Sequence, residues 1–495
     1  MSPPRLVYSE YAYNFVAFDN RFFAVPQTLG PIDISSQSVI DLPGVFISRQ
    51  LDDVLRRVEW QHVAHSSPLK LVPMLGTPAN VGYYGHNHPA YDSIFSGSHG
   101  EVVSIEHWPT NAHCDSHTLQ RLDAALTRFR SQMETTGIDL DFAEQFINSR
   151  DHLTQLIVSN SPAIHFFQGL PLTLGQRPWT IQVENATTLF IPFVTPGQSW
   201  TFDPDASPIY GVVRELLLAR ECLGIFTNLR ATQDGLPVLF RSEELARKVY
   251  HLPFAVPPAR PVEKNGCRFL FTTSWHQHER SFYNRGGVDA VAIFLQLAQR
   301  RPYLELTIRA KLPEDLDLEI RSQIEGAANI YVIEDKLSTE AIAQLFAEAD
   351  FYLLPAATLH SMSTIEAMAH GCICVLADAW GSDEYLKDGI NGLRIPGRQG
   401  RHWEFRPEHG VIAERHAELE GVDHTFVGRA VDAIDPLLRD PGLRINLSQA
   451  ARAYVSEHHD IKQIRATFRG AMQAIQARAA AEDGGMKDDK IARAH

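Results

Sequence analysis

The sequence is poor in cysteine, in net basic charge and in long apolar runs. Its five cysteines, Cys114, Cys222, Cys267, Cys372 and Cys374, include no Cys-x-x-Cys pair. That argues against a disulfide framework and points to a reduced, cytoplasmic compartment. Cys372 and Cys374 alternate on one apolar stretch and read as buried, inert thiols rather than metal ligands. Lys and Arg total 45 against 59 Asp and Glu, a formal net charge of −14. Nucleic acid is therefore not an expected partner, because its backbone is bound by clustered cations. No stretch reaches the ~18 apolar residues that a membrane span requires. The start, Met1-Ser2-Pro3-Pro4, lacks the charged and apolar segments of a signal peptide.

What is present is ordinary globular composition, 44% hydrophobic and 21% charged, on a chain of 495 residues. That length exceeds one core, and two or three domains of roughly 100–250 residues are expected. Short apolar runs at 163–167, 179–184, 225–228, 268–272, 304–310, 330–333, 351–354 and 372–377 alternate with helically spaced segments. This is the pattern of α/β, doubly wound parallel sheets. The run His251-Leu252-Pro253-Phe254-Ala255-Val256-Pro257-Pro258-Ala259-Arg260-Pro261 is a stiff connector and marks a boundary. The domains are placed at 1–255 and 266–455, with a C-terminal helix at 456–480 and a disordered tail at 481–495. Helices are expected at 54–62, 117–136, 210–223, 243–250, 426–438, 447–458 and 461–480, and a buried strand at 69–74. The segment 397–423 reads as a charged loop, and Gly82 to His88 as a loop with two histidines.

The chain is organised around Phe351 to Ile395. The strand Phe351–Leu354 stops at Pro355, a loop follows, and a helix opens near Ser363. Gly371 ends that helix before the next strand, and Asp388-Gly389-Ile390-Asn391-Gly392 makes a tight turn. Ligands of parallel sheets bind at the carboxyl ends of strands, where helices begin, so the loop 356–362 is the natural place for a site. Ser363-x-x-Glu366 also fits a capping box, in which the glutamate closes the helix start.

Over about 338–395 the sequence resembles the retaining GT-B glycosyltransferases of family 4, also called glycosyltransferase group 1. Glu366 with Ala367, Met368, Ala369 and Gly371, then Gly381, Glu384 and the 388–392 turn, match that family's motif in order and spacing. The motif's first glutamate, eight positions earlier, is Thr358 here. The resemblance implies two Rossmann-like domains facing a cleft, with the last helices crossing back to the first domain. It implies transfer of a sugar from a UDP- or GDP-sugar co-substrate, with retention, and no metal or other cofactor. The acceptor would be a glycan, a lipid-linked sugar or a protein, and peripheral membrane attachment is compatible with it. No oligomeric state is implied.

Roles follow residue by residue. Glu366 would accept the ribose hydroxyls. Ser361, Met362 and Ser363 would lie at a helix start against the diphosphate. Arg285, before Gly286-Gly287, and Arg280 would stabilise the leaving diphosphate, with Lys311 a third cation. Thr358 or His360 would contact the sugar. Glu184 or Asn185 stands where the family carries a sugar-facing histidine, and either residue could equally cap a loop. Two alternatives stand beside this. One is a GT-B protein that binds a nucleotide sugar or a protein partner without turnover, suggested by Thr358. The other is a metal-dependent enzyme using an Asp-x-Asp motif, present at Asp139, Asp203 and Asp315. Three scattered copies in so acidic a chain read as chance.

Overall fold

The computed structural model describes residues 5–10, 13–18, 21–26, 46–48, 79–83, 94, 103–107, 164–168, 179–190, 194, 197–207, 210–259, 262, 264–273, 280–415 and 417–492. The expected strand at 69–74, the helices at 54–62 and 117–136, Cys114, Asp139 and residues 84–88 lie outside them.

The chain opens with four strands, β1 Arg5–Glu10, β2 Tyr13–Phe18, β3 Arg21–Pro26 and β4 Phe46–Ser48. They form an antiparallel sheet in sequence order. The expectation of a Rossmann-like unit from residue 1 is corrected here. The first three strands follow too closely for the long crossover that parallel pairing needs, so they pair antiparallel.

A six-stranded parallel sheet follows, ordered β10-β9-β8-β7-β5-β6. It contains β5 Ala79–Tyr83, β6 Val103–His107, β7 Ile164–Gln168, β8 Trp179–Gln182, β9 Cys222–Thr227 and β10 Val249–His251. Helix α1 Tyr210–Leu218 precedes β9; α2 Arg230–Leu239 and α3 Glu243–Ala246 follow it. The expected helix 243–250 is thus shorter. Val249 to His251 instead add a parallel edge strand beside Ile225 to Thr227, because the apolar Val249 is buried against the first core.

The second parallel sheet has the order β13-β12-β11-β14-β15-β16. Its strands are β11 Arg268–Thr272, β12 Glu305–Arg309, β13 Ile330–Ile333, β14 Phe351–Leu354, β15 Ile373–Ala377 and β16 Leu393–Ile395. The order reverses between β11 and β14, the switch point where such sheets bind ligands. Side chains alternate between two cores. Phe351, Leu353, Ile373 and Val375 enter one core, and Tyr352, Leu354, Cys374 and Leu376 the other. A strand buried on both faces reads as a continuous apolar run, as these do. Helices α4 Ser281–Asn284, α5 Gly287–Arg300, α6 Leu318–Gly326, α7 Thr339–Glu348, α8 Ser361–Ala369 and α9 Ser382–Tyr385 connect the strands.

The segment 397–423 is not simply a loop. It carries an antiparallel hairpin, β17 Trp403–Arg406 and β18 Val411–Glu414. Gly410 has φ 64°, a left-handed turn position that favours glycine. Helices α10 His424–Arg439, α11 Pro441–His458 and α12 Ile461–Ala492 complete the chain. Asp440 accepts from the N–H groups of Gly442 and Leu443, so α11 begins at Pro441, earlier than the apolar spacing suggested. At His459 the chain turns back on the first sheet. The His459 ring contacts the Phe254 carbonyl at 2.8 Å. Phe468 packs on Phe226 with ring centroids 5.8 Å apart. Helix α12 runs to Ala492 rather than giving way to a disordered tail at 481, and it continues through Gly484-Gly485 against their low helix propensity. Two six-stranded parallel α/β sheets are thus tied together by a C-terminal helix that returns to the first. Among the described residues, no helix is long and apolar enough to cross a membrane.

Candidate active site

A cavity of about 450 Å³ opens between the two parallel sheets, within the ~300–1,000 Å³ of small-molecule sites. Its walls come mainly from segments following parallel strands. Glu184, Asn185, Thr187 and Thr188 follow β8, and Leu229 follows β9. Arg280, Ser281, Asn284 and Arg285 follow β11; Thr358, Leu359 and His360 follow β14; Trp380 follows β15. Glu414, at the end of β18, closes the ring.

Of the sequence-predicted residues, Glu184, Asn185, Arg280, Arg285, Thr358 and His360 therefore meet at one cavity. Arg285 ends α4 and is buried. Its guanidinium donates to the Thr272 carbonyl at 3.3 Å. Burial holds its pKa below the ordinary value, offset by the Tyr352 phenol and by Glu184. A guanidinium in this position favours an anion beside it. Gly286 and Gly287 behind it are required by close approach: a Cβ would fall 2.4 Å from the Pro355 carbonyl oxygen and 2.5 Å from the Phe282 ring. Arg280 is half-exposed at the rim, paired with Asp315 at 3.3 Å and with Glu420.

Glu184 projects into the open cavity yet is surrounded by protein on the remaining sides. Desolvation pushes its carboxyl up to about 7, opposed by Arg285 and an Asn228 hydrogen bond and assisted by the negative charge of Glu414. Water reaching the cavity screens part of this effect. Asn185 has the capping role weighed for it. Its side chain accepts from the Thr187 N–H at 3.0 Å, opening the 3-10 turn Ala186–Phe190.

Helix α8 begins at Ser361 after His360, which corrects the capping-box reading of Ser363 and Glu366. Ser363 lies inside the first turn and donates back to the His360 carbonyl at 3.1 Å. Ser361 is buried, and its hydroxyl accepts from the Asn228 amide at 3.1 Å, tying the two halves together. Met362 packs against the apolar core. Glu366 sits further along α8 and does not line the cavity just described. Its carboxylate has no partner among the described residues, and desolvation pushes it up to about 7. Lys311 is exposed and lies off the cavity wall.

Other features position the walls. Arg398, fully buried, donates to the Pro355 carbonyl at 3.1 Å from both Nε and one terminal nitrogen, and pairs with Asp289. It fixes the start of the loop carrying Thr358. Glu384 accepts from the N–H groups of Arg230 and Ala231 at 2.7 and 2.8 Å, capping α2 of the other half. The 388–392 turn is held by Asn391, whose Oδ1 accepts from Lys387 N at 2.6 Å. Asp203, Asp205 and His409 come within 4.8 Å of one another. Asp203 caps a turn at Asp205 and Asp205 pairs with Arg241, in keeping with the turn expected there.

The residues that sequence reasoning missed are Glu414, Asn228 and Trp380. The signal for Glu414 was present: Trp403-Glu404-Phe405 and Val411-Ile412-Ala413 flank a turn-forming Pro407 to Gly410, a hairpin pattern hidden by charge.

Residues 281–403 match the family model described as glycosyl transferases group 1. No curated protein matches the chain. Solved structures similar to it include a glycosyltransferase from Rickettsia africae, at 9% identity and a TM-score of 0.48, covering 81% of this chain and 99% of that one. Anabaena Alr3699/HepE in complex with UDP and glucose has 11% identity and a TM-score of 0.47, covering 80% and 99%. A GtfA/B complex has 16% identity and a TM-score of 0.44, covering 61% and 54%. The chain thus spans about half the length of the GtfA/B chain it matches.

Proposed function

We propose that this protein is a retaining, metal-independent glycosyltransferase that moves a sugar from a UDP- or GDP-sugar to an acceptor. The observation that carries the reading is the cavity at the carboxyl ends of both parallel sheets, with Arg285 on one side and Glu184 on the other; Arg285, Thr358, His360 and Trp380 of its wall fall in the segment 281–403 matched to glycosyl transferases. In this reading Glu366 accepts the ribose hydroxyls, a task suited to an acceptor-only carboxylate. The start of α8, at Ser361, Met362 and Ser363, faces the diphosphate. Arg285, aided by Arg280, stabilises the charge that grows on the leaving diphosphate. Thr358, His360 and Glu184 surround the transferred sugar.

The bond from the anomeric carbon to the phosphate oxygen breaks, and the bond to the acceptor oxygen forms on the same face. The acceptor proton passes to the leaving phosphate oxygen. The acceptor, a glycan, a lipid-linked sugar or a protein, enters beside Thr187 and Thr188. Donor consumption in the presence of a chelator, with the product's anomeric configuration read by NMR, tests this. The expected product keeps the donor's configuration. An inverted product, or activity abolished by the chelator, contradicts it. The alternative of binding without turnover is motivated by Thr358, a hydroxyl where the resembled family carries a glutamate. It predicts nucleotide-sugar binding with no donor consumed.

A further inference from the structure

The hairpin that carries Glu414 leaves the second half and packs on the first. Val411 joins the first half's core. The Ser199 hydroxyl accepts from the Glu414 N–H at 3.0 Å. Arg406 donates to the Trp200 and Phe202 carbonyls, and Arg415 lies 4.1 Å from the Trp200 ring centre. At the turn, Gly410 meets Gly235 so closely that a Cβ on Gly235 would lie 2.3 Å from the Gly410 carbonyl oxygen. Glu414 is thus held on a rigid element, 4% exposed, on the wall of the cavity.

Its carboxylate accepts from the Thr358 hydroxyl at 2.7 Å and, at a longer 3.4 Å, from the Gly197 N–H. A carboxylate offers about four acceptor positions and is well suited to neighbouring hydroxyls that each donate. Beside it, Trp380 bridges Thr358 along the backbone and lines the same cavity. One face of its indole stacks on Phe405, with centroids 5.0 Å apart. Glu184 lines the same cavity, and desolvation raises its carboxyl above the ordinary value. An anchored carboxyl acceptor and an aromatic wall in one cavity form a polyol subsite.

We propose that Glu414 is the specificity-determining residue for the transferred sugar, gripping its ring hydroxyls from the β17–β18 hairpin, with Thr358 as the positioning residue that orients its carboxylate. This rests on the nucleotide-sugar reading above.

Calorimetric binding of a nucleoside diphosphate alone and of its hexose conjugate, to the full chain and to Glu414→Gln and Thr358→Val, tests it. Losing a hydrogen bond to a charged group should weaken the conjugate by about 10–100-fold in Glu414→Gln, with the free nucleotide within about twofold. Thr358→Val should lose several-fold on the conjugate alone. An equal loss for both ligands would make Glu414 a strap between the halves and overturn the inference. So would an unchanged preference for the conjugate, while leaving the nucleotide-sugar reading intact. No binding of any nucleotide by the unaltered protein would overturn both.

Discussion

The Thr358 hydroxyl donates to Glu414 Oε1 at 2.7 Å, joining residues 56 positions apart. Through this bond the loop after β14 meets a hairpin anchored on the other half. It makes a glutamate at position 358 harmful. Thr358→Glu would set two carboxylates together in a buried place, and like charges at close range favour a shared proton. The variant should melt below the parent, with a larger deficit at pH 8 than at pH 5, where one carboxyl is protonated. Equal deficits at both pH values, or a rise in melting temperature at pH 8, would contradict this.

Arg398 is the buried hub beneath the same loop. Replacing it with Met leaves Asp289 and Asp423 without their common cation and frees the Pro355 carbonyl. Removing one partner of a buried pair typically costs about 3–5 kcal/mol. Urea denaturation should show a loss of that size; a change below about 1 kcal/mol would mean the network is dispensable.

Glu366 gives a pH signature. Its carboxyl is raised to about 7 in the folded protein, from 4.5, so it takes up a proton more readily than in the unfolded chain. Its contribution to stability therefore falls as pH rises from about 4.5 to 7 and is level outside that window. If the carboxylate accepts ribose hydroxyls, nucleotide affinity should run the other way, rising through pH 7 to a plateau. Glu366→Gln should remove this share of the stability slope, leaving that of Glu184, and flatten the affinity profile. A nucleotide affinity that does not change between pH 6 and 8 would remove Glu366 from the ribose role.

Gly235→Ala tests the seating of the hairpin. The added Cβ collides with the Gly410 backbone rather than a movable side chain, and such overpacking costs about 1–3 kcal/mol. The variant should lose stability and, with Glu414 displaced, part of its preference for the sugar conjugate over the nucleotide. Unchanged values for both would show that the hairpin does not depend on this contact.

The parallel sheets were legible because strands such as Phe351–Leu354 and Ile373–Ala377 are buried on both faces and read as unbroken apolar runs. Helix ends were legible where a cap was unambiguous, as at Ser338, whose hydroxyl accepts from the Ala341 N–H at 3.2 Å. Half-buried pieces were not. Val249 and Tyr250 looked like the tail of a helix because their strand partner, Ile225 to Thr227, lies outside the local pattern, and Trp403–Glu414 looked like charged loop because its charged residues mask the hairpin alternation. The cavity residues following parallel strands could be placed from local pattern and resemblance. Glu414 could not, since its place depends on a hairpin docking across the cleft. Nor could the loss of Lys311 from the wall, which depends on the path of the chain after β12.

The most direct test of the central claim is thermal stabilisation by UDP, GDP and ADP and their sugars, with and without a chelator. A ligand bound only by the folded state adds about 2.7 kcal/mol at a hundredfold excess over its dissociation constant. The account predicts a clear upward shift with UDP or GDP and with the matching sugar. That shift should be unchanged by the chelator and lost in Glu366→Ala. No shift with any nucleotide, or one that disappears with the chelator, would contradict it.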